Sequence, residues 1–302
     1  MTRRDIILLA ALSLIWGASF MFIRVADRSF QPFALVFLRA LLACAVLVPA
    51  MLLRVGRRGL RQARECWLFL LTLGAVNTAI PFLLFAWAET RITSSLAGIL
   101  QAAGPIFTVI LAYIFLHERL AGTALAGIGI GALGVVLLVG APGGGGPLAA
   151  LAVVLAAFGY ACGAVLVAVK LADTEPMVSA AGACVVATVL TAPVGVAQLP
   201  SSVPGWKETG SILLLGLVGT GVAYIMSFVL IQSAGPSRMM LVTYTIPAAA
   251  VLYGWLLLGE ALRAVDLVGL AVILAGVALA ARGRRAAARD PAYTGTQPQE
   301  AA

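Results

Sequence analysis
Apolar residues run along this chain in long blocks, without the strict alternation of a half-buried strand. Ten such blocks, about 6–23, 33–53, 66–88, 94–116, 122–140, 148–169, 177–198, 210–232, 236–258 and 265–281, are divided by short segments that hold most of the charges. A helix of about 20 apolar residues crosses the roughly 30 Å hydrocarbon core of a bilayer. The pattern therefore predicts an all-α integral membrane protein with ten transmembrane helices. No segment between the blocks is long enough for a soluble domain.

Composition supports this reading. Of 302 residues, 62% are hydrophobic and 11% charged, and the mean hydropathy is +1.06. Soluble domains carry about 25% charged residues. These values exclude a soluble enzyme, a disordered chain and a disulfide scaffold. Cys44, Cys66, Cys162 and Cys184 form no CxxC pair and read as small buried hydrophobes. The net charge of +8 forms no stripe along one element. It therefore points to lipid headgroups and topology, not to nucleic acid.

Charge also orients the chain. With the N-terminus inside, 14 of the 20 basic residues fall in cytoplasmic segments (Arg3, Arg4, Arg54, Arg57, Arg58, Arg61, Arg64, Arg119, Lys170, Arg238, Arg282, Arg284, Arg285 and Arg289). Five fall outside, and Arg39 lies within a block. This bias predicts a multi-pass protein of the cell's inner (plasma) membrane with both termini cytoplasmic. Arg3 and Arg4 before the first block resemble the start of a signal peptide. That block is too long for an h-region and has no A-x-A site.

The sequence repeats itself. At an offset of 142, residues 105–137 match 247–279 at ten of 33 positions, among them Pro105/Pro247, Glu118/Glu260, Gly127/Gly269 and Gly134/Gly276. Gly17 meets Gly159 at the same offset, with Trp16 opposite Phe158. This predicts a first five-helix repeat at 1–141, a Gly/Pro linker at 142–147, a second repeat at 148–282 and a disordered cytoplasmic tail at 283–302. Five is odd, so the second copy enters the membrane from the opposite side. Such inverted repeats build secondary transporters, whose halves exchange shapes around a central site.

The stretches LSLIWGASFMFIRVA, QPFALVFLRALLA and GPIFTVILAYIFLHERLAGTALAGIGIGALGVVLL, with IPAAAVLYGWLLLGEALRAVDLVGLAVILAGVAL in the second copy, resemble the EamA-type carriers of the drug/metabolite transporter superfamily. The resemblance covers roughly 5–282. It implies ten helices in two inverted five-helix bundles, a central cavity and export of amino acids or related metabolites.

Proline points to the site. A proline at i leaves the carbonyl of i−4 without its helical donor. Pro81 does this to Asn77, Pro105 to Gln101 and Pro247 to Thr243. The resemblance implies that these helices border the cavity. The side chains are then substrate contacts, or they and water repair the kinks. Trp16, Tyr160, Tyr224 and Tyr244 lie deep in blocks, as cavity walls stacking on a ligand or as ordinary packing. Trp16 and Phe158 are expected to face each other across the pseudo-two-fold axis.

Arg39 lies about 10 Å inside the second block, counting 1.5 Å per residue. It is either a clamp for a substrate carboxylate or a structural group that pairs with Glu89 or caps a helix. The FLRALLA resemblance, which carries this arginine across different substrates, favours structure. Glu118 and Glu260 close the fourth and ninth blocks, to cap the following helix or to gate, and His117 is a loop residue. The small residues Gly127, Gly129, Gly131, Gly134, Gly269 and Gly276 allow close contacts within each half or a homodimer face.

No Walker A, H-E-x-x-H or Ser/His/Asp pattern is present. ATP drive within the chain, a metal site, a cofactor and catalysis are therefore not expected. The partners expected are a small-molecule substrate and the lipid bilayer. Uniport, exchange and proton coupling stay open, because no acid is clearly mid-block. An uptake carrier for a sugar or nucleotide-type metabolite, and a non-transporting sensor or assembly protein, are the rival readings.

Overall fold
The computed structural model describes residues 2–116, 120–141, 146–235, 239 and 241–288. His117, Glu118, Arg119, linker residues 142–145, Arg238 and the tail from 289 lie outside the described residues. Among the described residues ten helices are long and apolar enough to cross a membrane. We number them span 1 (Arg3–Ala26), span 2 (Pro32–Arg54), span 3 (Trp67–Glu89), span 4 (Ser94–Phe115) and span 5 (Gly122–Val139). Span 6 (Pro147–Lys170), span 7 (Pro176–Ala197), span 8 (Trp206–Ala234), span 9 (Leu241–Leu258) and span 10 (Ala264–Gly283) form the second copy. Among the described residues there is no strand.

Local chemistry sets the ends. Thr2 and Asp5 form a reciprocal capping box at the start of span 1. Pro32, Pro147 and Pro176 occupy first helical positions, where a missing N–H costs nothing. Pro147, read as linker, is thus already helical. The last helix continues to Ala288, so 283–288, expected as disordered tail, are helical. Arginine and alanine are strong helix formers, and RGRRAAA carries the last turn beyond the apolar block.

A short helix over Gly56–Glu65, absent from the block pattern, joins spans 2 and 3. Arg57, Arg58, Arg61 and Arg64 recur at helical spacing along it. Span 4 is broken between Gln101 and Gly104, just before Pro105. Pro247, by contrast, lies within an unbroken helix. Spans 3 and 8 each contain a wide π-helical stretch, Gly74–Ala79 and Leu214–Val222, at matching places in the two repeats.

The halves interleave instead of standing side by side. Spans 2 and 7, 4 and 9, and 5 and 10 pack as pairs across the repeats. Span 1 lies on spans 8 and 9, and span 6 lies on spans 3 and 4, so exchanging the repeats maps each contact onto another. Leu53, Leu133 and Leu148 stay exposed, facing outward as lipid-facing side chains do.

The glycine faces serve this interleaving. Gly127, Gly131 and Gly134 meet Gly269, Ile273, Gly276 and Ala280 of the opposite repeat. Gly131 also meets Ile106 of its own half, and Gly129 faces open space. A methyl on Gly276 would stand 2.6 Å from the Gly127 carbonyl oxygen and from the Gly131 Cα, both unyielding backbone. Gly276→Ala is therefore expected to cost about 1–3 kcal/mol as the helices part. Gly129→Ala should be neutral or gain up to about 1 kcal/mol. Unfolding of the two variants in detergent checks this.

Candidate functional site
A cavity of about 320 Å³ lies at the centre, walled by spans 1, 2, 3, 4, 6, 8 and 9. Its lining includes Trp16, Arg39, Asn77, Gln101, Pro105, Tyr160, Tyr224 and Thr243, all singled out by sequence. Phe20, Phe82, Phe85, Ser19, Thr108 and Thr220 join them. Tyr244 does not line it, because its neighbour Thr243 takes the cavity-facing position and Tyr244 turns into the apolar core. Phe158 does not line it either. It packs edge-on against Phe107 at 5.5 Å, 37% exposed, so Trp16 has no matching partner across the axis.

Backbone geometry places the polar groups. In the π stretch of span 3 the Ile80 N–H reaches back five residues to the Ala75 carbonyl. Asn77 sits in this stretch, against Gly163 of span 6, where a Cβ would overlap the Asn77 side chain. Gly159 likewise leaves room for the Val76 carbonyl and the Pro81 ring. Gln101 ends the first segment of span 4, one turn before Pro105.

Arg39 is 7% exposed. Its Nε donates to Thr220 Oγ1 at 3.0 Å, and its guanidinium lies 3.6 Å over the Phe82 ring. Thr220 in turn donates to the Leu215 carbonyl, five residues back in the second π stretch, at 3.0 Å. The two repeats differ here. Thr78, 142 residues before Thr220, is fully buried with no partner for its hydroxyl among the described residues. The counterpart of Arg39 near Ala183 carries no charge.

Among the described residues Arg39 forms no ion pair, with Glu89 or any other acid, and the lining contains no carboxylate. The expected Arg39–Glu89 pair is therefore absent, since Thr220 and Phe82 hold the guanidinium. The terminal guanidinium nitrogens and the side chains of Asn77, Gln101, Tyr160 and Tyr224 make no hydrogen bond to a described residue. These donors and acceptors converge on one cavity with aromatic walls. Phe20 meets Phe85 edge-on at 5.6 Å, and Phe85 stacks on Tyr160 at 6.1 Å. The result is a positive, amphipathic pocket suited to a small ligand bearing a negative group.

Glu260 caps a helix, but not the one that follows it. Gly259, at φ +68°, ends span 9 in the left-handed region and turns Glu260 across to span 4. There Oε1 accepts from the Ser94 N–H and hydroxyl at 2.8 and 2.9 Å. Oε2 accepts from those of Ser95 at 2.9 and 2.6 Å. Span 10 is served instead by Asp266, which pairs with Arg263 at 2.6 Å. Phe30, Ile92 and Leu96, in the connections and the first turn of span 4 at this same end, are buried in the apolar core. Of the cysteines only Cys184 is buried; the other three are half-buried.

Comparison with known proteins agrees with this architecture. The model of the EamA-like transporter family matches twice, over residues 3–140 and 147–282. A probable terminal-alkyne amino-acid exporter of Streptantibioticus cattleyicolor is 28% identical, over 91% of this chain and 94% of its own length. The uncharacterized inner membrane transporter YedA of Escherichia coli K12 is 27% identical over 91% of this chain and 90% of its own. A solved structure at 22% identity superposes with a TM-score of 0.65, covering 95% of this chain and 99% of that one, and shares the fold. This chain belongs to the EamA-like transporter family and is a multi-pass membrane protein built from two inverted five-helix repeats.

Proposed function
We propose that this carrier exports amino acids or closely related metabolites by alternating access through the central cavity. The observation that carries the reading is Arg39: one buried cation, with no carboxylate among its neighbours in the lining, held rigidly at the cavity wall. A substrate carboxylate supplies the missing negative charge through charge-assisted hydrogen bonds. The amide oxygens of Asn77 and Gln101 accept from the substrate ammonium, and the aromatic faces of Trp16, Tyr160 and Tyr224 cover its side chain. The Streptantibioticus relative, named as a probable terminal-alkyne amino-acid exporter, supports the same class. A phosphorylated or nucleotide-type substrate is less well served, because phosphates call for clustered cations and the cavity has one.

The excess of cytoplasmic arginine favours both termini inside the plasma membrane, with the Glu260 lock on the outer side. Metabolite profiling of the medium around overexpressing cells tests the proposal. One amino acid is expected to accumulate outside with the intact protein, and to fall at least about tenfold with Asn77→Ala/Gln101→Ala inserted at equal level, for two lost polar contacts of about 1 kcal/mol each. No efflux from correctly inserted protein would leave uptake as the leading reading.

A further inference from the structure
Three charged side chains meet outside the cavity where spans 1 and 3 end. Arg24 donates through Nη1 to the backbone carbonyl of Glu89, the last residue of span 3. That bond holds the two helix ends together. Asp27 follows Arg24 by three residues, on the same side of span 1, and caps its end. Glu89 is fully buried. Both of its carboxylate oxygens, and both of Asp27's, are shut off from solvent with no hydrogen-bond partner among the described residues. Neither acid forms an ion pair there. The other charges acting on Glu89 are Glu260 and Arg39, while Arg28 is exposed. Glu260 is committed to Ser94 and Ser95, and Arg39 to Thr220.

Two ionised carboxylates in this place would each lose hydration with nothing to replace it, a cost of several kcal/mol apiece. Such groups take up protons instead. Burial pushes Asp27, just beyond span 1, up to about 8 against the opposing pull of Arg24. A metal cation is a poorer occupant. The described residues contain no group of three or more ligating side chains, and the Arg24 charge already stands beside the pair.

We infer that Asp27 and Glu89 form a proton-binding site that latches this end of the carrier shut, holding protons while it is closed and releasing them when it opens to water. The Glu260 lock lies at the same end, so opening must free Ser94 and Ser95 and hydrate the acids together. The closed state has the higher proton affinity, so low pH favours closure and the advantage fades as pH rises through about 8. Each proton released shifts the open-to-closed ratio about tenfold per pH unit between the ordinary carboxylate range and about 8, and no further above it. This inference rests on the carrier architecture and not on the amino-acid reading, and its test needs no substrate.

Full-length protein in nanodiscs would be followed by hydrogen exchange of the amides from Ser94 to Gln101, at about pH 6 and about pH 9, with rates normalised for intrinsic pH dependence. Protection in the native chain is expected to fall at least about tenfold at the higher pH. Asp27→Asn/Glu89→Gln, neutral mimics of the protonated pair, should be equally protected at both. Infrared titration of the native chain should find a protonated carboxyl near neutral pH that the double variant lacks, a readout independent of how the variant packs. The latch is overturned by pH-independent protection in the native chain, by pH dependence that survives in the variant, by absence of the carboxyl band, or by closure that follows sodium instead of protons.

Discussion

Arg39→Met is expected to move binding and stability in opposite directions. The guanidinium is buried, and its charge is balanced by no acid among the described residues. Removing it from the empty carrier relieves a desolvation penalty while a side chain of similar volume keeps the packing. Unfolding should therefore occur at the same or higher temperature, with a gain of up to a few kcal/mol. The bonded partner survives the loss, because Thr220 still donates to the Leu215 carbonyl. Substrate binding should weaken roughly 10- to 150-fold, the worth of a charge-assisted hydrogen bond at about 1.5–3 kcal/mol. Arg39→Lys should recover only part of this, since an ammonium cannot present two parallel donors or lie flat on Phe82. Binding of the exported amino acid to purified protein, measured beside thermal unfolding, checks both signs. Were Arg39 a structural group, stability would fall and binding would follow it.

The spans were legible because lipid imposes a rule that composition must obey: backbone groups close their bonds within a helix, and side chains are apolar for the whole crossing. Repeat arithmetic then gave the inversion, since Pro105/Pro247 and Glu118/Glu260 fix the register. The lining of the cavity was legible where a rare polar or aromatic residue stands in an apolar block, as with Arg39, Asn77 and Gln101. Tyr244 shows the limit of that rule. Depth in a block does not give the face of the helix, and one residue of rotation sends Thr243 to the cavity and Tyr244 to the core.

What stayed hidden depends on contacts between distant segments. Thr220 is 181 residues from Arg39, and nothing in GLVGTGVA announces a π turn that aims a hydroxyl across the repeats. The helix over Gly56–Glu65 is hidden in the sequence because its clustered arginines signal a charged connection and topology first. Phe82 and Phe85 are two phenylalanines in an apolar run, and only the fold distinguishes them from lipid-facing ones. The Thr78 hydroxyl, without a partner among the described residues, marks where the two repeats differ. The threonine persists in both copies, but the arginine that uses it is present in one. The two-repeat scaffold thus carries an asymmetric charge at the cavity wall.

Glu260→Ala is expected to give the largest loss of closed-state stability, at least about 4 kcal/mol, because four donors depend on one carboxylate and each buried donor left unpaired costs about 1–3 kcal/mol. Glu260→Gln keeps one acceptor oxygen but turns an NH₂ toward donors, and should lose about half as much. Gly254 belongs to the same device, since a Cβ there would collide with the Ser95 hydroxyl and the Glu260 carboxylate. A double-mutant cycle with Ser94→Ala/Ser95→Ala isolates the side-chain share, and the remainder is owed to the two backbone N–H groups. The cap and the gate make different predictions for where the loss is felt. A cap that merely stabilises span 4 would lower global unfolding by the full amount. A lock between span 4 and the end of span 9 acts chiefly on one conformation, so local exchange at Ser94–Gln101 should speed up by the full factor while global unfolding moves less, because the open form still keeps the interleaved packing of spans 2 with 7 and 5 with 10. Hydrogen exchange and thermal unfolding measured on the same variant therefore separate the two roles.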